Sequence, residues 1–196
     1  MMYIVGLGNP GEKYEKTRHN VGWMALDVFI AKTGLPTPVS SSAYVGNISQ
    51  GTLNNTEVSV LYPNTFMNKS GSAVKKLVPK GQEEDLIVVH DDVDLPIGEI
   101  KIVFGRGDGG HNGIKSIVES LGTKDFIRVR IGVAGKSFWT GHTKRPQGGV
   151  ALNKHVMGQF NATERKELEK VTQTVTDALE VLITEGKEKA MNKFNA

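Results

Sequence analysis

Five histidines punctuate the chain, at positions 19, 90, 111, 142 and 155. A single histidine is more often structural than catalytic, so the neighbours decide. His19 stands beside Asn20 in a loop that already holds Asn9, Tyr14 and the cations Lys13, Lys16 and Arg18. That loop leads into a helix, and a helix N-terminus disfavours imidazolium, which keeps a ring neutral and able to accept a proton. His90 opens the run His90-Asp91-Asp92-Val93-Asp94 and reads as part of a strand end. His111 lies inside the stretch Gly105-Arg106-Gly107-Asp108-Gly109-Gly110-His111-Asn112-Gly113, where structural and functional readings are both open. The aspartates admit three readings. They solvate a strand end, they lend oxygens to a metal, or one accepts the Nδ1–H of a histidine from another loop and stabilises the imidazolium. With no cysteine and no serine in a nucleophile elbow, the attacking group in a hydrolytic scheme is water.

The elements that carry these groups follow from periodicity. Tyr3-Ile4-Val5 reads as a strand. Val21, Met24, Ala25 and Val28 keep helical spacing, so a helix is expected from Val21 to Thr33, with Asn20 as its N-cap and Gly34 as its stop. Strand-like runs at 44–49 and 57–62 flank a turn at Leu53-Asn54-Asn55, and a second helix carries Val74, Leu77 and Val78. The continuous apolar run Leu86-Ile87-Val88-Val89 predicts a strand buried on both faces and ending in the aspartates. A strand at 99–104, a helix at 114–121 and a strand at 126–133 come next, the last with Arg128 and Arg130 on the face opposite Ile127, Val129 and Ile131. Residues 135–149 are polar, carry several basic residues and read as a mobile loop. Asn161-Ala162-Thr163-Glu164 resembles a capping box, opening a final helix with the stripe Leu168, Val171, Val175, Leu179, Leu182 and Ile183. Strands alternating with helices, without repeats or a boundary, predict one α/β domain over 1–196 with a largely parallel or mixed sheet. Such sheets bind ligands in the loops leaving the carboxyl ends of their strands.

Composition narrows the classes. An apolar fraction of 38% against 23% charged residues suits a globular domain with a real core. Strand-like sequence begins at Tyr3 without a basic-then-apolar leader, and no apolar run reaches the ~18 residues of a membrane span, so the cytoplasm is the expected compartment. A net charge of +3 allows a polyanionic partner without requiring one.

Gly6-Leu7-Gly8-Asn9-Pro10-Gly11 formally matches a dinucleotide fingerprint. That motif should open a helix at once, whereas here the apolar periodicity is delayed to about residue 21, and Asp27 falls inside the helix. A nicotinamide-dependent oxidoreductase is therefore the weaker reading. Asn68 and Asn112 suit turns or caps, with Met67 and His111 just before them. Lys101, Arg106, Lys115, Arg128 and Arg130, with the rings of Tyr14 and Phe66, suit a nucleic-acid end, where phosphates anchor and bases stack.

Five motifs, taken together, resemble the bacterial-type peptidyl-tRNA hydrolases. They are Val5-Gly6-Leu7-Gly8-Asn9-Pro10-Gly11 with Tyr14, Thr17-Arg18-His19-Asn20-Val21-Gly22, Phe66-Met67-Asn68 with Ser70-Gly71, His90-Asp91-Asp92-Val93-Asp94-Leu95-Pro96 with Gly98, and Gly109-Gly110-His111-Asn112-Gly113. They stand in that family's order and spacing from Tyr3 to about Phe160. The resemblance implies a monomeric three-layer α/β/α domain with a central mixed, largely parallel sheet, and no metal or other cofactor. It implies cleavage of the ester between a peptide's C-terminus and the ribose of tRNA, which recycles tRNA from prematurely released chains. The implied partner is peptidyl-tRNA, and no membrane is involved. Carried onto this chain, His19 matches the general base and Asp91 the carboxylate that orients it. Asn9 matches the residue that distinguishes blocked from free aminoacyl ends. Tyr14, Phe66, Asn68 and Asn112 match positions that contact the tRNA end. Met67 falls beside the substrate path, and His111 is grouped with the substrate-binding residues. Asp92 and Asp94 have no assigned role and are expected either to be structural or to support the residues that act on substrate. Val103 stands where some relatives have a basic residue, with Arg106 as the candidate to compensate, and residues 135–149 form a longer, more polar excursion than expected, a candidate lid. The alternative is a non-catalytic RNA-binding protein on the same fold, since fold does not fix function.

Overall fold

Both faces of the strand β1 (Met2–Gly6) are apolar: Ile4 points to one helix layer, Tyr3 and Val5 to the other. That places β1 in the middle of the sheet. The computed structural model describes residues 1–136 and 143–195. In it β1 pairs in parallel with β4 (Thr56–Pro63) on one side and β5 (Leu86–Pro96) on the other, and β5 pairs in parallel with β7 (Ile127–Lys136). Antiparallel strands finish the flanks, β3 (Gly46–Leu53) and β2 (Val39–Ser41) beyond β4, and β6 (Ile100–Phe104) beyond β7. A short β8 (Thr143–Lys144) adds an antiparallel pairing at the end of β7. The order is β2-β3-β4-β1-β5-β7-β6. It is the mixed sheet with a parallel centre that the alternation of elements predicts.

Helices cover both faces, giving three layers. On one side lie α1 (Val21–Thr33), α5 (Ala162–Thr184) and α6 (Lys187–Phe194), which enclose Phe29, Ile87, Val129, Leu179 and Leu182. Phe29 is fully buried there, a burial that contributes about 1.5–3 kcal/mol. On the other side α2 (Ser70–Leu77) and α3 (Asn112–Leu121) pack Val74, Leu77, Ile114 and Ile117 against Val5, Leu7 and Val88. The remaining helix, α4 (Gly149–Val156), stands between β8 and α5. Among the described residues no helix is long and apolar enough to cross a membrane.

Several expectations need adjustment. The strand β5 does not end at the aspartates but runs through them to Pro96, because β7 continues to pair with it at His90, Asp91 and Asp92. The expected hairpin is longer, its turn at Asn54 and Asn55 with φ of 49° and 66°, values that suit a two-residue β-turn between twisted strands. Asn20 occupies the N-cap position of α1, but its side chain makes no cap bond. The excursion at 135–149 is not one loop: its ends belong to β7, β8 and the start of α4, while residues 137–142, with His142 and the centre of the expected lid, lie outside the described residues. The capping box at Asn161 and Glu164 forms as expected.

The entry of α1 sits very close to the sheet. A methyl group on Gly22 would lie 2.4 Å from the Val89 carbonyl oxygen and 2.7 Å from that of Leu7. Only glycine permits this approach. It brings the turn just before α1 up against the carboxyl half of β5.

Candidate active site

That turn is a 3-10 segment, Arg18–Asn20, and it carries His19. His19 Nδ1 lies 2.8 Å from Asp91 Oδ1. Asp91 is almost wholly buried on β5, and two histidines hold its carboxyl well below the usual range: burial pushes it up, but the charges and hydrogen bonds of His19 and His111 outweigh that. An ionised carboxylate only accepts, so the His19 proton sits on Nδ1 in the neutral ring and Nε2 keeps its lone pair. For His19, burial pulls the pKa down, yet the Asp91 charge and hydrogen bond prevail and leave it raised above 6.5.

The second donor to Asp91 comes from His111, whose Nε2 is 2.9 Å from the same Oδ1. His111 is the N-cap of α3, and its Nδ1 accepts the backbone N–H groups of Gly113 and Ile114. With Nδ1 occupied as an acceptor, Nε2 must carry the proton it gives to Asp91. Both ring nitrogens are thus engaged inside the protein, which bears on its expected grouping with the substrate-binding residues. His90 is fully enclosed, donates Nδ1–H to the Asp91 carbonyl at 2.8 Å, and has its pKa driven well below 6.5 by burial and then by His111. It stays neutral.

Asp92 and Asp94 do not join this cluster. Asp92 pairs with Arg130 and accepts the Asp94 N–H, while Asp94 pairs with Arg145 at 2.6 Å. A metal site built on Asp91, Asp92 and Asp94 therefore does not form. His19, Asp91 and His111 have donor atoms within 4.8 Å of one another, close enough to hold an ion. They meet instead through N–H groups on one oxygen, where a metal would need lone pairs.

A cavity of about 290 Å³ opens beside the cluster, lined by His19, Asp91, His111 and Asn112, and on the α4 side by Leu152 and Asn153. Asn9 and Met67 lie outside that lining. Both are buried, and Met67 donates its N–H to Asn9 Oδ1 at 2.8 Å. Asn20 explains its own missing cap: its Oδ1 accepts the Asn9 N–H at 2.9 Å and its Nδ2 donates to the Asn9 carbonyl at 3.0 Å. Tyr14 and Phe66 meet edge to face, centroids 6.4 Å apart, with Lys13 Nζ 4.8 Å from the Tyr14 ring. Phe66 is more than half exposed, and Asn68 is exposed in the adjoining 3-10 turn Met67–Lys69. Of the expected phosphate-binding cations, Arg128 is buried and donates to the Gly107 carbonyl, and Arg130 is taken by Asp92. Lys101, Arg106 and Lys115 remain exposed.

The residue match is equally direct. The family model for "Peptidyl-tRNA hydrolase" matches residues 3–196. The chain belongs to the peptidyl-tRNA hydrolase family. It is 45% identical to a peptidyl-tRNA hydrolase of Syntrophotalea carbinolica, over all of this chain and 97% of that one. It is 43% identical to one of Thermodesulfovibrio yellowstonii, over all of this chain and 99% of the other. The crystal structure of the peptidyl-tRNA hydrolase from Acinetobacter baumannii superposes with a TM-score of 0.86 at 30% identity, covering the whole chain and 95% of that structure. Sequence reasoning did not single out Leu152, Asn153 or Val156 of the cavity wall. Leu152 and Val156 do stand four apart, but a glycine-led eight-residue segment gives too little pattern to mark a helix.

Proposed function

We propose that this chain hydrolyses the ester between the C-terminus of a peptide and the ribose of tRNA, and so recycles tRNA from prematurely released chains. The single observation that supports the reading is His19 Nδ1 held on the buried Asp91 carboxylate, in a ring that lines the cavity. His19 Nε2 takes a proton from water as the water oxygen attacks the ester carbonyl carbon. Asp91 stabilises the imidazolium that forms. Asn112, at the first turn of α3, donates to the developing oxyanion, aided by the positive end of that helix. When the tetrahedral intermediate collapses, the carbon–oxygen bond to the ribose breaks and the imidazolium returns its proton to the departing oxygen. The peptide leaves as a carboxylate.

Asn9 is clamped through its backbone by Asn20 and through Oδ1 by Met67, so its Nδ2 presents a fixed donor to the peptide end of the substrate. A donor there favours an acylated α-amino group over a charged free one. The half-buried Tyr14 and the exposed Phe66 receive the terminal bases, Asn68 adds a polar contact, and the exposed cations Lys101, Arg106 and Lys115 face phosphate. One chain supplies every group used, so the reaction needs no second copy.

The test is turnover of an N-acetylated aminoacyl-tRNA against the same tRNA carrying a free amino acid. Release of the acetylated amino acid, with the free ester spared, is the expected result. Binding of tRNA without release from either would give the non-catalytic RNA-binding reading instead.

A further inference from the structure

The residue before His19 is also committed, but in another direction. Arg18 Nη2 is 2.7 Å from Glu164 Oε2, and Arg18 Nη1 reaches the His155 carbonyl at 3.4 Å. Its backbone N–H donates to the Gly158 carbonyl at 3.0 Å, and Thr17 forms an antiparallel bridge with Gln159. The guanidinium lies 5.3 Å from the centroid of the buried Phe160 ring. A side chain at position 158 would begin only 3.0 Å from Nη1, so the glycine leaves the space that Arg18 fills. Glu164 Oε2 also accepts the Asn161 N–H that closes the capping box of α5.

These contacts bind the end of α4 and the start of α5 to the turn that carries His19. The helix α4 has need of them. Eight residues are too few for a helix to be stable alone, and Val156 is its one buried residue. Besides Arg18, its C-terminal end is tied to the sheet by His155 Nε2, which donates to the Val133 carbonyl at 2.8 Å. Yet α4 supplies Leu152, Asn153 and Val156 to the cavity wall.

We propose that Arg18 is a positioning residue, latching α4 to the His19 turn so that the base and the cavity wall keep a fixed separation. The proposal rests on the hydrolase reading above. Arg18 does not touch the reacting atoms. Its effect passes through α4, and a wall displaced by about 1 Å is enough to cost one to two orders of magnitude in rate at low substrate.

The test compares wild type with Arg18→Met, Arg18→Lys and Glu164→Gln, reading steady-state hydrolysis of peptidyl-tRNA together with amide hydrogen exchange. For Arg18→Met, KM is expected to rise roughly tenfold while kcat changes less than about threefold, with the acid limb of the pH profile unmoved. The α4 amides, including Leu152, and the Met157 amide at its C-cap exchange faster in that variant, while those of α1 do not. Arg18→Lys keeps a charge for Glu164 but lacks the second arm to His155, and recovers part of the KM. Glu164→Gln keeps an acceptor for Asn161 and guards against an unfolded Arg18→Met; it shows the same pattern in smaller measure. Unchanged α4 exchange in Arg18→Met would overturn the latch. So would a fall in kcat with a shifted acid limb and an unchanged KM, which would put Arg18 on His19 itself. Exchange reads the latch even if wild type fails to turn over, and that failure would count against the hydrolase reading alone.

Discussion

Asn20 grips the backbone of Asn9 with both ends of its amide, accepting the N–H at 2.9 Å and donating to the carbonyl at 3.0 Å. Asn20 itself is fully buried. Replacing it by alanine leaves a buried N–H and a buried carbonyl unpaired, at a cost of about 1–3 kcal/mol each where water does not enter. Asn20→Ala is expected to lower stability by that order and, by freeing Asn9, to weaken discrimination between acylated and free aminoacyl-tRNA. Asn20→Asp keeps the acceptor but sets a buried carboxylate oxygen against the Asn9 carbonyl, so it is expected to destabilise at least as much as Asn20→Ala. Denaturant melts and the ratio of the two hydrolysis rates measure both effects.

Asp91 and His111 should move the pH profile of hydrolysis in opposite directions. The rate rises with pH as His19 loses its proton, and the His19 pKa stands above 6.5 because Asp91 outweighs burial. Asp91→Asn removes the charge, so the acid limb shifts to lower pH while kcat falls by a factor of about 10²–10⁴. Removing His111 takes away a donor that shares the Asp91 charge. Asp91 then draws the His19 proton more strongly, and the limb of His111→Ala shifts to higher pH. That variant also loses the α3 cap, at about 0.5–2 kcal/mol. Stability carries its own sign: Asp91, depressed on folding, contributes fully above the unfolded pKa of about 3.9, and the contribution fades as pH falls toward the folded value. Rate profiles and acid unfolding of the three proteins check both statements.

Gly22→Ala tests the close entry of α1. Its methyl group would meet the Val89 carbonyl oxygen at 2.4 Å, with the Leu7 carbonyl behind it, and neither is free to yield within the sheet. Overpacking of this kind costs about 1–3 kcal/mol. The helix must back away, and His19 with it. A lowered melting temperature together with reduced kcat is expected.

Much of this was legible in the sequence, for identifiable reasons. The buried strand at Leu86-Ile87-Val88-Val89, the first helix and the Asn161–Glu164 capping box each carry a local pattern that one element can satisfy. His19 and Asp91 were legible as candidates because polar groups crowd the ends of parallel strands. What local pattern cannot carry is a partner far along the chain. Asn20 looks like a cap until Asn9 is beside it, and Arg18 looks like a surface cation until Glu164 arrives from 146 residues away. Alternation put Arg128 and Arg130 on one face of β7 correctly, yet it could not say that Gly107 would cover the first and Asp92 hold the second.

The half-buried Tyr14 and the exposed Phe66 make an edge-to-face pair with a lysine over the Tyr14 ring. A base stacked on such a platform is worth about 1–3 kcal/mol. Phe66→Ala is expected to raise KM for peptidyl-tRNA by about ten- to hundredfold. Folding should be little affected, since the ring is mostly exposed. A small ester lacking the tRNA end should show no change between Phe66→Ala and wild type, and comparing the two substrates separates stacking from chemistry.

The most direct measurement is single-turnover release of peptide from peptidyl-tRNA by wild type and His19→Ala, with tRNA affinity measured on the same samples. His19 as the base predicts that release falls by at least about 10²-fold while tRNA still binds. Release from a folded His19→Ala at the wild-type rate would contradict it and move the proton transfer to another group.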